Sequence, residues 1–114
     1  MIHGFLKACT VSPALRVADC AFNTQQTIAA MQRAAADGAQ LAVFPELGLT
    51  GYTCGDLFFQ QPLQRAAAKG LAAVLEASAA LDLVALVGLP VAVDGKLYNL
   101  SLIHISEPTR LLSI

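Results

Sequence analysis

Hydrophobic and polar positions divide the chain into stretches with two different rhythms. Residues 5–11 form a short, mostly apolar run closed by Ser12 and Pro13, which predicts a first strand. Over residues 20–37 the rhythm is helical. Phe22, Ile28, Met31 and Ala35 fall at spacings that share one face, while Gln25, Gln26, Gln32 and Arg33 sit mainly elsewhere. Asp37-Gly38 supplies the stop, because glycine tolerates the left-handed backbone common just past a helix end. A second apolar run at residues 41–45 predicts another strand.

Residues 60–81 carry the longer helical pattern, with Pro62 tolerated in the first turn. Leu63, Ala67, Leu71, Val74, Ser78 and Leu81 mark its apolar stripe, and Gln64, Arg65, Lys69 and Glu76 supply polar positions. Gly70 works against this helix by about 1 kcal/mol relative to alanine. Residues 83–93 are almost continuously apolar, which predicts a strand covered on both faces. Asp94-Gly95 is a strong two-residue hairpin signal, so residues 96–104 should return antiparallel. The expected class is α/β with a mixed sheet and no internal repeat.

Composition narrows the function classes. At 114 residues, this is one domain at most. With 56% hydrophobic and 13% charged residues, it is not a disordered chain. A net charge of −1 gives no electrostatic reason to expect nucleic acid or an anionic membrane as partner. No apolar stretch reaches the roughly 18–20 residues of a membrane span, and no signal peptide is evident. Cys9, Cys20 and Cys54 are odd in number and form no C-x-x-C pair, which suits reduced thiols in a cytoplasmic protein. Neither a metal-ligand spacing nor a phosphate loop is visible.

Candidate chemistry is concentrated at residues 41–52. The strand there meets Pro45, which has no N–H for a ladder, so pairing should end and Glu46 is presented where the strand runs out. Ligands in open α/β sheets bind just beyond the carboxyl ends of strands. Gly48 and Gly51 allow the chain to turn tightly near that edge. A lone carboxylate there more often caps a helix or makes a surface ion pair, but its neighbours point further. Phe44-Pro45-Glu46-Leu47 and Leu49-Thr50-Gly51-Tyr52 resemble the first catalytic motif of the nitrilase (carbon–nitrogen hydrolase) superfamily. Thr53-Cys54-Gly55-Asp56-Leu57-Phe58 narrows the resemblance to the glutaminase domains of glutamine-dependent NAD synthetases. It covers about residues 5–99.

That resemblance implies an α-β-β-α sandwich, of which this chain would be an incomplete first part. It also implies a Glu–Lys–Cys triad, and only the glutamate maps onto this sequence, as the general base Glu46. The matching lysine and cysteine would follow Asn99 and are absent. Tyr52 matches a position near the substrate pocket. The reaction implied is hydrolysis of glutamine to supply ammonia for ATP-dependent amidation of deamido-NAD. ATP and Mg would then sit on a separate synthetase domain, with no cofactor on this fragment, and the parent would be a homo-oligomer. Residues 1–114 alone are expected to be inactive.

Cys54 shares the loop with Glu46 but has no cationic or histidine neighbour to activate it, so it is not taken as the nucleophile. Asp56 is expected to brace the loop by accepting backbone N–H bonds, and Cys9 to be a small buried hydrophobe. The alternatives are a stand-alone amidase of the same superfamily and a small non-catalytic α/β module.

From Leu100 the text changes character. The eleven residues Leu-Ser-Leu-Ile-His-Ile-Ser-Glu-Pro-Thr-Arg resemble one reading frame of a transposase sequencing adapter. Residues 100–114 are therefore expected to be a non-native tail, and His104, Glu107 and Arg110 are not counted as site residues. Residues 100–105 are nonetheless apolar and β-branched enough to prolong the preceding strand, whereas Pro108 should leave the part beyond Ser106 poorly packed.

Overall fold

The computed structural model describes residues 4–105 and 110–113. In chain order the elements are β1 (Ala8–Thr10), α1 (Cys20–Ala36), β2 (Leu41–Val43), a 3-10 turn (Gly55–Phe59), α2 (Gln61–Ser78), β3 (Val84–Val93), β4 (Lys96–Ile105) and β5 (Arg110–Ser113). They build one mixed sheet in the order β1-β2-β3-β4-β5. The first three strands are parallel, and β4 and β5 are antiparallel to their neighbours. Both helices pack over one sheet face, where Ala42, Ala85, Val87 and Leu89 join Met31, Ala67 and Val74 in the core. This is the α-β half of the expected sandwich. Among the described residues no helix is long and apolar enough to cross a membrane.

The helices form where the spacing places them, but α1 is rotated from its expected face. Its buried residues are Cys20, Asn23, Thr24, Thr27, Ala30, Met31 and Ala34, so of the expected stripe only Met31 is fully inside. On the buried side Asn23 bonds loop backbone through its amide, and Thr24 beside it faces Gly70 of α2. Asp19 caps the N-terminus, with Oδ1 accepting from the Phe22 N–H at 3.0 Å. In α2 the expected stripe is buried at Leu63, Ala67, Val74 and Ser78, and Gly70 is buried with it. A Cβ on Gly70 would collide with Thr24 Oγ1 of α1, so the missing side chain is what lets the helices approach.

Three strand expectations need correction. β1 is a short edge strand, which leaves Cys9 half-buried and Phe5 79% exposed. In β3, Ala85, Val87 and Leu89 are buried against the helices, but Val84 and Leu86 on the opposite face are only half-buried. That strand is thus covered on both sides only around Gly88 and Pro90. A fifth strand, β5, pairs Ile105 with Arg110 and Leu102 with Ser113. Residues 106–109, Glu107 and Pro108 among them, lie outside the described residues. β4 itself runs through Leu100 to Ile105 unbroken, as its β-forming composition favours.

The β3–β4 hairpin turns on Asp94 and Gly95, with φ of +50° and +74°. Positive φ at both central residues matches the right-handed twist of the strands, and Val93 pairs with Lys96 directly across the turn. Every later pair follows from that one, including Pro90 with Asn99 and Gly88 with Ser101.

Candidate active site

Glu46 lies three residues beyond the end of β2. The Phe44 N–H still bonds the Leu86 carbonyl at 3.0 Å, and Pro45 then ends the ladder. The chain crosses over β3 at Gly88. A Cβ there would stand 2.6 Å from Leu47 N, 2.9 Å from the Pro45 carbonyl oxygen and 3.2 Å from the Glu46 carbonyl carbon. Only a residue without a side chain lets the loop lie so close. The Leu49 N–H then bonds the Gly88 carbonyl at 3.2 Å and clips the loop to the strand.

The turn that follows is tight. Gly48 N–H bonds the Pro45 carbonyl at 3.0 Å, and Thr50 and Gly51 N–H bond the Leu47 carbonyl at 3.1 and 2.8 Å. Leu47, next to the carboxylate, has a φ of +51°. That left-handed conformation costs a non-glycine residue about 1–2 kcal/mol and is held by the surrounding bonds.

Beneath the loop, buried Asn23 acts as a bracket. Its Nδ2 donates to the Arg16 and Leu49 carbonyls at 2.8 and 3.2 Å, and its Oδ1 accepts from the Arg16 N–H at 2.7 Å. Ala18 N–H adds a bond to the Thr50 carbonyl at 2.8 Å. The β1–α1 connection and the Glu46 loop are thereby tied into one unit.

The Glu46 carboxylate is exposed and points to the hairpin, where Asn99 Nδ2 donates to its Oε1 at 2.8 Å. Beside it is a cavity of about 170 Å³ lined by Leu47, Phe58, Pro90, Leu97, Tyr98 and Asn99. Asn99 is the residue that sequence reasoning missed, although the signal was present: counting back from Asp94-Gly95 sets it opposite Pro90.

Tyr52 is 76% exposed on the surface of the same loop. Cys54 turns inward, with its thiol donating to the Thr50 and Gly51 carbonyls at 3.2 and 3.5 Å. The structure therefore engages Glu46 with Asn99 and Cys54 with loop backbone, and makes no base–thiol pair of them. Asp56 is exposed and its side chain makes no hydrogen bond among the described residues, contrary to the expected bracing role. The bracing comes instead from Cys54 and from Gln64 Nε2, which donates to the Phe58 carbonyl at 3.0 Å. Burial, with Cys54 and Asp19 adding, pushes the Cys20 thiol up to about 11. Among the described residues no group of three or more His, Cys, Asp and Glu could hold a metal ion.

The profile of the carbon–nitrogen hydrolase family matches residues 7–113. Among curated proteins, the chain is 33% identical over 101 residues to the glutamine-dependent NAD(+) synthetases of Mycobacterium bovis and Mycobacterium tuberculosis. The match takes in 89% of this chain and 15% of those proteins, so the chain spans about one-seventh of their length. Among solved structures, a glutamine-dependent NAD(+) synthetase from Cytophaga hutchinsonii superposes with a TM-score of 0.82 at 22% identity, covering 89% of this chain and 17% of that one. An amidase from Nesterenkonia sp. follows at a TM-score of 0.69 and 19% identity, over 89% of this chain and 38% of that one. At these identities the two structures establish the shared fold.

Proposed function

The chain belongs to the carbon–nitrogen hydrolase family, and from that premise we propose that it carries the general base, Glu46, of a glutamine-hydrolysing domain. The support is the placement of the carboxylate: beyond the end of β2, beside a small cavity and held by Asn99 at 2.8 Å. A base so presented takes the proton of a cysteine thiol, which attacks the carboxamide carbon of glutamine. Ammonia leaves, a glutamyl thioester forms, and water releases glutamate. The cysteine and the lysine that steadies the tetrahedral oxyanion belong, in this reading, to chain beyond these residues, as the one-seventh coverage of the synthetases suggests. Tyr52 becomes part of the glutamine pocket once that further chain covers it.

The whole protein, so read, is a cytoplasmic, homo-oligomeric glutamine-dependent NAD synthetase, with ATP and Mg²⁺ bound on its other domain. The motif extension at residues 53–58 and the curated relatives favour it over a stand-alone amidase. Ammonia release from glutamine tests it with purified proteins at matched concentration. Residues 1–114 should give no turnover, because members of a catalytic triad act as a unit. The complete enzyme should be active and lose at least about 10³-fold in kcat on Glu46→Gln. Turnover by the 114-residue chain that survives Glu46→Gln and disappears in Cys54→Ser would overturn the assignment.

A further inference from the structure

We propose that Asn99 is a positioning residue for Glu46, its side-chain amide holding the carboxylate in the orientation from which the base meets its proton; the proposal rests on the reading of Glu46 as that base. Asn99 Nδ2 donates to Glu46 Oε1 at 2.8 Å, between residues 53 apart in sequence. Two independent features of the fold bring them together. The Asp94-Gly95 turn sets Asn99 opposite Pro90, and side chains two residues apart on a strand share a face. Asn99 therefore rises on the same face as position 88, the point where the Glu46 loop crosses the sheet.

The chemistry of the pair suits orientation better than stability. Both residues are exposed, and a hydrogen bond exchanged against water at such a place contributes little net stability. What it does is restrict a carboxylate that would otherwise sample several rotamers. A neutral amide donates to one oxygen and leaves the other free for the incoming proton. A lysine or arginine in its place would hold the carboxylate as firmly but stabilise its charged form, making it a weaker base. Misplacing a catalytic group by about 1 Å can cost around 10²-fold in rate, so a single well-placed donor is enough to matter.

The test uses the complete enzyme that carries this segment, with glutamine as substrate and ammonia release as readout. Asn99→Ala should lower kcat by about 10- to 100-fold while KM stays within about threefold, since the loss lies in alignment and not in binding. Asn99→Asp keeps the shape and replaces the donor by a second carboxylate. Like-charge repulsion should then move the acid limb of the pH–rate profile up by about one unit or more. That shift reports only that position 99 faces Glu46, whereas a purely structural asparagine would lower the melting temperature and leave kcat of the folded Asn99→Ala enzyme where it was. Wild-type kcat in folded Asn99→Ala would overturn the proposal, whatever the acid limb of Asn99→Asp does. Glu46→Gln, assayed alongside, separates the two failures: if it stays active, the base assignment falls and the positioning role with it, whereas an inactive Glu46→Gln beside wild-type-like Asn99 variants removes only the latter.

Discussion

Replacing Gly88 by alanine adds one methyl group where the structure has no room for it. The new Cβ would lie 2.6 Å from Leu47 N and 2.9 Å from the Pro45 carbonyl oxygen, and these are backbone atoms that cannot rotate aside. Restoring ordinary contact at 3.4 Å lifts the loop by about 0.8 Å. Lifting it that far takes the Leu49–Gly88 bond from 3.2 Å to roughly 4 Å, beyond hydrogen-bonding range, and strains the Asn99–Glu46 bond. Overpacking of this kind costs about 1–3 kcal/mol and the lost bond about 1 kcal/mol more, so Gly88→Ala should destabilise by about 2–4 kcal/mol. Urea unfolding checks this through a lower midpoint at unchanged slope. Gly95→Ala is the comparison, because it has open space around it and is strained only by its φ of +74°. It should cost about 1–2 kcal/mol. In the complete enzyme, Gly88→Ala should also reduce turnover, since the carboxylate rides on the lifted loop. A Gly88→Ala variant within about 0.5 kcal/mol of wild type would refute the close crossing.

Other outcomes follow from the same packing. Gly70→Ala alone should destabilise, but combined with Thr24→Ala it should become neutral or stabilising. The collision is with a buried Thr24 hydroxyl that has no hydrogen-bond partner, and alanine is worth about 1 kcal/mol over glycine in a helix. A double-mutant cycle should give a coupling of at least about 1 kcal/mol, and additive effects would sink the idea. The Cys20 thiol, raised from 9.0 to about 11, keeps its proton in the folded chain where the unfolded chain has lost it. Its contribution is complete below pH 9.0 and should fade as pH climbs through about 11, and the urea midpoint of Cys20→Ala should be flatter over that window. For the tail, we propose that residues 100–114 are adapter-derived. Long-read sequencing of the source locus should run from the Tyr98-Asn99 codons into a continuing hydrolase frame; the same eleven codons in the intact locus would refute it.

What was legible in the sequence is what local chemistry decides. The stripe of α2, the stop at Pro45 and the Asp94-Gly95 turn each act through a few neighbouring residues, and the structure keeps all three. Less legible were features set by partners distant in sequence. α1 buries Asn23, whose amide bonds a loop carbonyl 26 residues away, and Thr24, which faces Gly70 of α2, and no helical periodicity of apolar residues can reveal those contacts. Gly70 reads as a weak point in a helix until Thr24 is seen against it. Expecting β3 to be covered on both faces overlooked that a continuous apolar run says nothing about which neighbours are present. Glu46 was found by its motif, whereas its hydrogen-bond partner depends on strand register. β5 escaped notice because its four residues follow a stretch with no strand rhythm.

Surface turns ordinarily absorb insertions and deletions with little consequence. The Asp94-Gly95 turn should be an exception. Gaining or losing a single residue there would shift β4 by one place against β3 and exchange the two faces of the strand. Tyr98 or Leu100 would then stand where Asn99 now meets Glu46. Length changes of two residues preserve the alternation and should be far better tolerated. Homologous hairpins should thus vary in length by even steps, a constraint imposed on a turn that itself touches neither residue of the pair.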